Sequence, residues 1–126
     1  MGEAVVLVFL GGGLGSVVRY GIARALPAAS GFPWATFTAN SLSGLVLGAV
    51  LGVLMASPDQ DGGRWRLLLV TGFCGGFSTF STFSNEGLTL FQSGQPGLAG
   101  LYAAASWLTC MGGIALGMWW ARMLLT

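Results

Sequence analysis

Four long apolar stretches dominate this sequence and restrict the folds that it can adopt. They run over residues of about 4–25, 34–56, 65–91 and 98–122. Because roughly 20 mostly apolar residues cross a bilayer as a helix, each stretch is long enough to form a span. Only 7% of the residues are charged, whereas a soluble domain needs roughly a quarter to cover its surface. We therefore predict an all-α integral membrane protein, with residues 1–126 forming a single transmembrane domain.

The segments between the stretches contain the residues that end helices. Pro27, Gly31 and Pro33 lie in the first segment, a polar run over residues 57–63 forms the second, and residues 93–97 form the third. Proline and glycine interrupt helices, so these segments are predicted to be short loops. Four spans joined in this way place both chain ends on the same side of the membrane.

The arginines give almost no preferred orientation. The side with the chain ends carries Arg64, Arg66 and Arg122, and the opposite side carries Arg19 and Arg24. Because orientation follows the bias of basic residues, three against two is a weak signal. We predict insertion in both orientations, which permits an antiparallel dimer. The alternative is a modest preference for the arginine-rich side in the cytoplasm.

Glycines four residues apart occur in every span and predict close helix packing. The sets are Gly11 and Gly15, then Gly44, Gly48 and Gly52, then Gly72 and Gly76, and finally Gly113 and Gly117. Small residues at this spacing let helix backbones approach each other in lipid. Four thin, closely packed helices cannot enclose a pore of their own, so a conduit is expected at an interface between subunits. The sequence thus favours an oligomer.

Polar side chains form two stripes inside the apolar stretches. Such residues are costly in a membrane unless they pair or line a water-filled path, so hydrogen bonds between helices and an ion path are both open interpretations. Asn40 is the sharpest candidate, because its amide has two donors that a dehydrated anion requires. At helical spacing, the stripes consist of Thr36, Asn40 and Ser43 in the second span and of Tyr102, Ser106 and Cys110 in the fourth.

The third span contains the densest polar segment, over residues 72–86. A glycine pair followed by serines and threonines is poor helix material, so we predict a break at about 75–79. Non-helical backbone is tolerated at membrane depth only when it is buried in protein or lines a cavity, and its freed carbonyls could hold a cation. Phe80 and Phe83 share a helix face. Their positive ring edges would suit a small anion, although ordinary packing is the alternative.

Three sequence motifs carry more specific information than the composition does. They are GGLGSVVRY at residues 12–20, TANSLSG at residues 38–44 and GFCGGFSTFSTF at residues 72–83. In these motifs, and over essentially its whole length, the chain resembles the CrcB/Fluc family of small fluoride channels. The third motif is the most specific, because its glycine pair and both phenylalanines keep their spacing.

The resemblance implies a passive channel that exports fluoride from the cytoplasm through the inner (plasma) membrane of the cell. It also implies an antiparallel, dual-topology homodimer with two fluoride pathways, each lined by both subunits. Fluoride would contact the ring edges of Phe80 and Phe83 and the side-chain amide of Asn40, and Arg19 would lie near the vestibule. The remaining pathway residues implied in this way are Ser81, Thr82, Tyr102 and Ser106.

A structural sodium ion is a further implication of the resemblance. The backbone carbonyls of Gly75 and Ser78 would bind one central ion at the helix break, shared with the partner subunit. Ser78 stands where the family usually has threonine, a change that a backbone ligand tolerates. Cys110 stands where a hydroxyl commonly continues the polar track. Since a thiol is a weaker donor, Cys110 is not assigned to the pathway.

Other function classes fit the sequence less well. A proton-driven exporter of small drugs also has four short spans, but it needs a carboxylate at the bilayer centre, whereas Glu3 and Glu86 lie towards span ends. A purely structural subunit would not need a broken, polar third span. We predict no enzymatic activity, because the chain has no histidine and no mid-span carboxylate to activate a serine.

The charge and the metal-binding residues argue against two more classes. The formal net charge is +1, whereas nucleic-acid binding requires a basic face. Two separated cysteines without any histidine make a zinc site unexpected. The predicted partners are therefore fluoride, a second copy of the chain and the lipid bilayer.

Overall fold

The computed structural model describes residues 1–26, 31–57 and 61–126, and this part of the chain is helical apart from short connections. Pro27 and the centre of the second predicted loop lie outside the described residues. The helical elements are α1 (Gly2–Ala25), α2 (Trp34–Ala56), α3 (Gly62–Trp65), a π-helical segment (Arg66–Cys74), α4 (Gly75–Phe77), α5 (Phe80–Gln92) and α6 (Pro96–Leu125).

Among the described residues, four helical stretches are long and apolar enough to cross a membrane. They are α1, α2, the interrupted stretch Gly62–Gln92 and α6. The third stretch contains α3, the π-helical segment (the π segment below), α4 and α5 in succession. The prediction of an all-helical protein with four membrane-spanning helices is confirmed, and the chain is a multi-pass membrane protein.

Glycines bring the helices into backbone contact in two places. A Cβ on Gly15 of α1 would overlap the carbonyl oxygen of Phe73 in the π segment, and a Cβ on Gly48 of α2 would overlap the carbonyl oxygen of Ile114 in α6. Such close approach maximises van der Waals contact, which drives helix association in lipid. The bundle therefore consists of α1 packed on the π segment and α4, and of α2 packed on α6.

The ends of the spans carry the residues expected at a membrane surface. Trp34 begins α2, Trp65 ends α3, and both indoles are exposed, as is typical of aromatic anchors in the interfacial region. An exposed ion pair between Glu3 and Arg64 joins the first turn of α1 to α3. This ion pair thus connects the beginning of the first span with the beginning of the third.

Candidate ion pathway

The third span is interrupted by two residues of extended backbone. Ser78 has φ −81° and ψ 157°, and Thr79 has φ −150° and ψ 116°. The hydroxyl of Thr79 caps α5, because its Oγ1 accepts a hydrogen bond of 3.3 Å from the backbone N–H of Thr82. The Ser78 hydroxyl donates to the carbonyl of Cys74 at 2.8 Å. The Thr79 hydroxyl therefore satisfies one N–H of the first turn of α5 that has no helical partner, and the Cys74 carbonyl accepts from both the hydroxyl and the backbone N–H of Ser78.

The polar stripe on α2 contacts the third span on both sides of this interruption. Asn40 donates from Nδ2 to the carbonyl of Thr79 at 3.2 Å, and its Oδ1 accepts from the Thr79 N–H at 2.8 Å. One turn further on, the hydroxyl of Ser43 donates to the carbonyl of Cys74 at 3.3 Å. Within one chain, this stripe therefore makes hydrogen bonds between helices. One of the two N–H donors of Asn40 is used by Thr79, and the amide also lines the groove described below.

Arg19, on α1, donates a hydrogen bond to the end of α4, whereas the contacts described above come from α2. Its Nε donates to the carbonyl of Gly76 at 3.1 Å, and the hydroxyl of Ser16, on the same face of α1, lies 3.5 Å from the same oxygen. A cation near the carbonyl end of a helix is favourable, because the unpaired carbonyls carry partial negative charge. Arg19 therefore has a definite structural role in addition to the vestibule position predicted from the sequence.

The two carbonyls predicted to bind sodium are left without donors. In the described parts of the chain, no N–H or O–H group lies in hydrogen-bonding geometry to the carbonyl oxygen of Gly75 or of Ser78. Gly75 is exposed, and nothing lies within 4 Å of the position that a Cβ there would take. These oxygens are therefore open to a ligand from outside the chain, and hard oxygen donors suit a small cation.

A groove beside the interruption brings the two predicted phenylalanines together. Their ring centroids are 5.9 Å apart with planes inclined by 38°, and Phe80 is 80% exposed. The volume of the groove is about 220 Å³. It is lined by Asn40, Ser78, Thr79, Phe80, Phe83, Ser106, Trp107 and Cys110.

The two hydroxyl residues between the phenylalanines differ in their surroundings. Ser81 is exposed and Thr82 is half-buried. Both hydroxyls lie near Oγ1 of Thr79, at 3.4 Å for Ser81 and 3.0 Å for Thr82. They thus form a short run of hydroxyl groups at the first turn of α5, next to the groove.

Two residues of the polar stripe on α6, Tyr102 and Ser106, differ in their hydrogen bonding. Tyr102 is fully buried, its ring lies 5.0 Å from that of Phe83, and its hydroxyl donates to Glu86 at 2.7 Å. Ser106 is only 6% exposed, yet its Oγ has no hydrogen-bonding partner among the described residues. Because buried polar groups are nearly always paired, this hydroxyl of a groove-lining residue lacks, among the described residues, the partner that its burial requires.

Glu86 is the site residue that sequence reasoning did not assign. Its Oε1 accepts from the hydroxyl of Thr36 at 2.8 Å, and its Oε2 accepts from Tyr102 at 2.7 Å. The signal was present, because Glu86 is the one acidic residue within the four predicted stretches, and a carboxylate inside a span requires donors. Sequence analysis used this residue only to weigh the drug-exporter alternative.

A second cavity, of about 440 Å³, also adjoins the interruption. Thr79 lines both cavities, so each of them reaches the extended backbone. The charged residues Arg19 and Glu86 both line the second cavity. Its remaining lining residues are Ser16, Tyr20, Ala23, Leu26, Ala35, Thr36, Thr79 and Thr82.

Comparison with known proteins gives a consistent result. Residues 6–118 match the family model described as CrcB-like protein, Camphor Resistance (CrcB). The chain is 39% identical over 126 residues to a protein of Erythrobacter litoralis, covering 95% of this chain and 93% of the relative. It is 42% identical to a protein of Novosphingobium aromaticivorans (91% and 93% covered) and 44% identical to one of Pyrococcus horikoshii (77% and 78% covered). All three are named fluoride-specific ion channel FluC.

These relatives are named as channels and not as enzymes. The prediction that the chain is not an enzyme agrees with them. The family model covers all three motifs on which the sequence resemblance depends, at residues 12–20, 38–44 and 72–83.

Proposed function

The chain belongs to the CrcB-like protein family, and on that premise we propose that it is a passive, fluoride-selective ion channel. The observation that carries the proposal is the groove at the interruption, where Phe80, Phe83 and the unpaired hydroxyl of Ser106 line one space. Relatives that match over 93% of their length carry the name of this activity.

The chemistry of the groove suits a small anion that has lost its water. The chain contains no lysine and no histidine, so in this proposal neutral dipoles replace the hydration shell. The edges of Phe80 and Phe83 carry partial positive charge, and Ser106 and Asn40 supply O–H and N–H donors. Ser81, Thr82 and Tyr102 continue the path on α5 and α6, and Arg19 attracts the anion into the adjoining cavity.

The complete channel, in this proposal, is an antiparallel homodimer with two pathways, each lined by both subunits. The extended backbone at Ser78 and the open surface at Gly75 support a second copy, because non-helical backbone at membrane depth must be covered by protein or line a cavity. The exposure of Phe80 beside this backbone points to the same surface. The weak arginine bias between the two sides of the membrane supports insertion in both orientations.

A structural sodium ion fits the open carbonyls of the interruption. Gly75 and Ser78 supply two oxygens per chain, so two chains related by a twofold axis would supply four. Such an ion would neutralise the partial negative charge of these oxygens and so join the two subunits. We expect the dimer to be less stable in N-methylglucamine buffer than in sodium buffer, measured as its thermal dissociation temperature. Equal stability in the two buffers would contradict the sodium proposal and leave the channel proposal untouched.

Fluoride would move down its electrochemical gradient, without any coupled energy source. In the inner (plasma) membrane, the negative interior of the cell favours the exit of an anion by about 2.3 kcal/mol per charge for each 100 mV. This drive makes a passive channel sufficient for fluoride export from the cytoplasm.

Fluoride efflux from liposomes that contain the purified protein tests the proposal. We expect rapid fluoride efflux and little chloride efflux, and we expect Phe80→Ile to lower the fluoride rate at least about tenfold. Phe91→Ile is the matched control, because Phe91 lies on the same helix, is 62% exposed and is outside the groove. Absence of fluoride efflux from a folded dimer would refute the channel proposal and favour proton-coupled drug transport, for which Glu86 would be the first residue to examine.

A further inference from the structure

The two cysteines of the chain occupy different surroundings. Cys74 lies at the end of the π segment and is 4% exposed. Cys110 lies on α6, is half-buried and lines the groove that contains Phe80 and Phe83. Both are free thiols. The groove therefore has a free thiol in its wall, whereas the second thiol is enclosed by protein.

Contact with α2 determines the position of Cys110. A Cβ on Gly44 would lie 3.0 Å from the sulfur and 2.7 Å from the carbonyl oxygen of Cys110. The absence of a side chain at Gly44 thus lets α6 approach closely and fixes the thiol between the α2 backbone and the groove. Ser106, one turn earlier on the same helix, contributes the unpaired hydroxyl to the same wall. This hydroxyl is independent evidence that the groove admits polar ligands.

We propose that Cys110 is a covalent-modification site in the ion groove: a small electrophile of the alkyl thiosulfonate class reaches its sulfur and blocks the path, while Cys74 stays unmodified. The labelling depends only on the described geometry. The block rests on the proposed function.

The reaction is a thiol–disulfide type of exchange that needs no further oxidant. The thiol of Cys110 gives its proton to water, and the sulfur attacks the sulfenyl sulfur of methyl methanethiosulfonate. A new S–S bond forms as the bond to the sulfonyl sulfur breaks, and methanesulfinate leaves with the electron pair. The thiol sulfur is oxidised and the sulfonyl sulfur is reduced, so electrons balance. The methylthio group then occupies part of the 220 Å³ groove.

The test compares labelling with fluoride efflux in liposomes, each protein against its own untreated sample. Wild type and Cys74→Ser are expected to gain one methylthio group per chain by intact mass and to lose fluoride efflux at least about tenfold. Cys110→Ser is expected to gain none and to keep the efflux rate of its untreated sample. Peptide mapping of the wild type locates the adduct directly, so the assignment does not depend on the folding of any variant.

A control thiol on α6 outside the groove shows whether labelling by itself, without occupation of the groove, lowers fluoride efflux. Leu108 is 61% exposed and lies outside the groove, so Leu108→Cys in the Cys110→Ser background should be labelled without losing efflux. Adducts on Cys74 with Cys110 unmodified would overturn the proposal, as would full labelling of Cys110 with undiminished efflux or an equal loss in the Leu108 control. Untreated protein without fluoride efflux would refute the proposed function, and the adduct position would then still decide whether Cys110 is the reachable thiol.

Discussion

Two sets of polar groups at the interruption of the third span differ in their partners. The held set accepts hydrogen bonds from side chains of α1 and α2, and it consists of the carbonyls of Cys74, Gly76 and Thr79. The open set has no partner in the part of the chain that the structure describes, and it consists of the carbonyls of Gly75 and Ser78 and the hydroxyl of Ser106.

The groups of the held set fix the backbone at the interruption, whereas the groups of the open set remain available to ligands. An unpaired polar group away from water costs about 1–3 kcal/mol, a cost that applies to the buried hydroxyl of Ser106. A ligand or a second subunit removes that cost. We therefore expect that removing a donor to the held set lowers both stability and conduction, whereas removing an open group lowers conduction alone.

The largest effect is expected for Asn40→Ala. This change removes both hydrogen bonds between the side chain and the backbone of Thr79, and it removes a donor from the groove as well. We expect fluoride efflux to fall about a hundredfold and the free energy of unfolding to fall by about 2 kcal/mol, since each lost bond is worth about 1 kcal/mol. Liposome efflux and thermal melting of the dimer measure the two quantities.

Ser41→Ala is the matched control for that variant. Ser41 is the next residue on α2, and its hydroxyl pairs with that of Thr109, away from the interruption. If Asn40→Ala conducted fluoride as well as Ser41→Ala does, Asn40 would be neither a holding residue nor a pathway residue.

The second effect in size is expected for Arg19→Ala. The carbonyl of Gly76 would lose its charged donor, so we expect a loss of about 1–3 kcal/mol in stability and about a tenfold fall in fluoride efflux. Arg19→Lys should recover only part of this loss, because lysine keeps the charge but lacks the planar guanidinium that presents Nε to the oxygen.

Arg24→Ala controls for the lost charge. Arg24 lies in the last turn of α1 and is exposed, so the same change in net charge occurs there without touching the interruption. An equal loss in the two alanine variants would show that the charge, and not the contact with Gly76, matters.

The spans could be predicted from the sequence because hydropathy is a local property. The predicted second span, 34–56, coincides with Trp34–Ala56, whereas the fourth helix, Pro96–Leu125, extends beyond the predicted 98–122 at both ends. Hydropathy identifies the apolar stretch that crosses the bilayer. The helix itself continues past that stretch until a helix-breaking residue occurs, so hydropathy does not predict where the helix ends. The π segment was not predicted; its Gly72 packs so closely on α1 that a Cβ there would lie 3.0 Å from Cα of Gly11.

The candidate site could be predicted only in part. Residue types and spacing singled out Asn40 and Phe80, which line one groove. The break was predicted at about 75–79 from the glycine pair, but Gly75 and Gly76 are helical and the extended backbone is at Ser78 and Thr79. The partners of Glu86 could not be predicted in the same way, because Thr36 is 50 residues distant and Tyr102 is 16 residues distant along the chain. Contacts among three helices depend on tertiary packing, which local pattern does not contain.

A smaller effect is expected for Thr79→Ala, which removes the N-cap of α5. The loss of a capping hydroxyl costs about 1 kcal/mol, and the hydroxyl contact with Thr82 is lost as well. We expect a modest fall in the thermal stability of the dimer and about a threefold fall in fluoride efflux. Thr79→Ser keeps a capping oxygen and should restore both, whereas a failure of serine to restore stability would show that the methyl group, and not the cap, is responsible.

The smallest effect on stability is expected for Ser106→Ala, and this variant tests the open set directly. Its Oγ has no partner among the described residues, so its removal breaks no hydrogen bond seen in that part of the chain, and we expect a change in unfolding free energy below about 0.5 kcal/mol. Fluoride efflux should nevertheless fall severalfold, because one donor to the dehydrated anion is lost. Melting and efflux measured on one preparation would separate the two effects. A loss of stability without a loss of efflux would contradict the place of Ser106 among the open groups and would indicate that its hydroxyl has a structural partner.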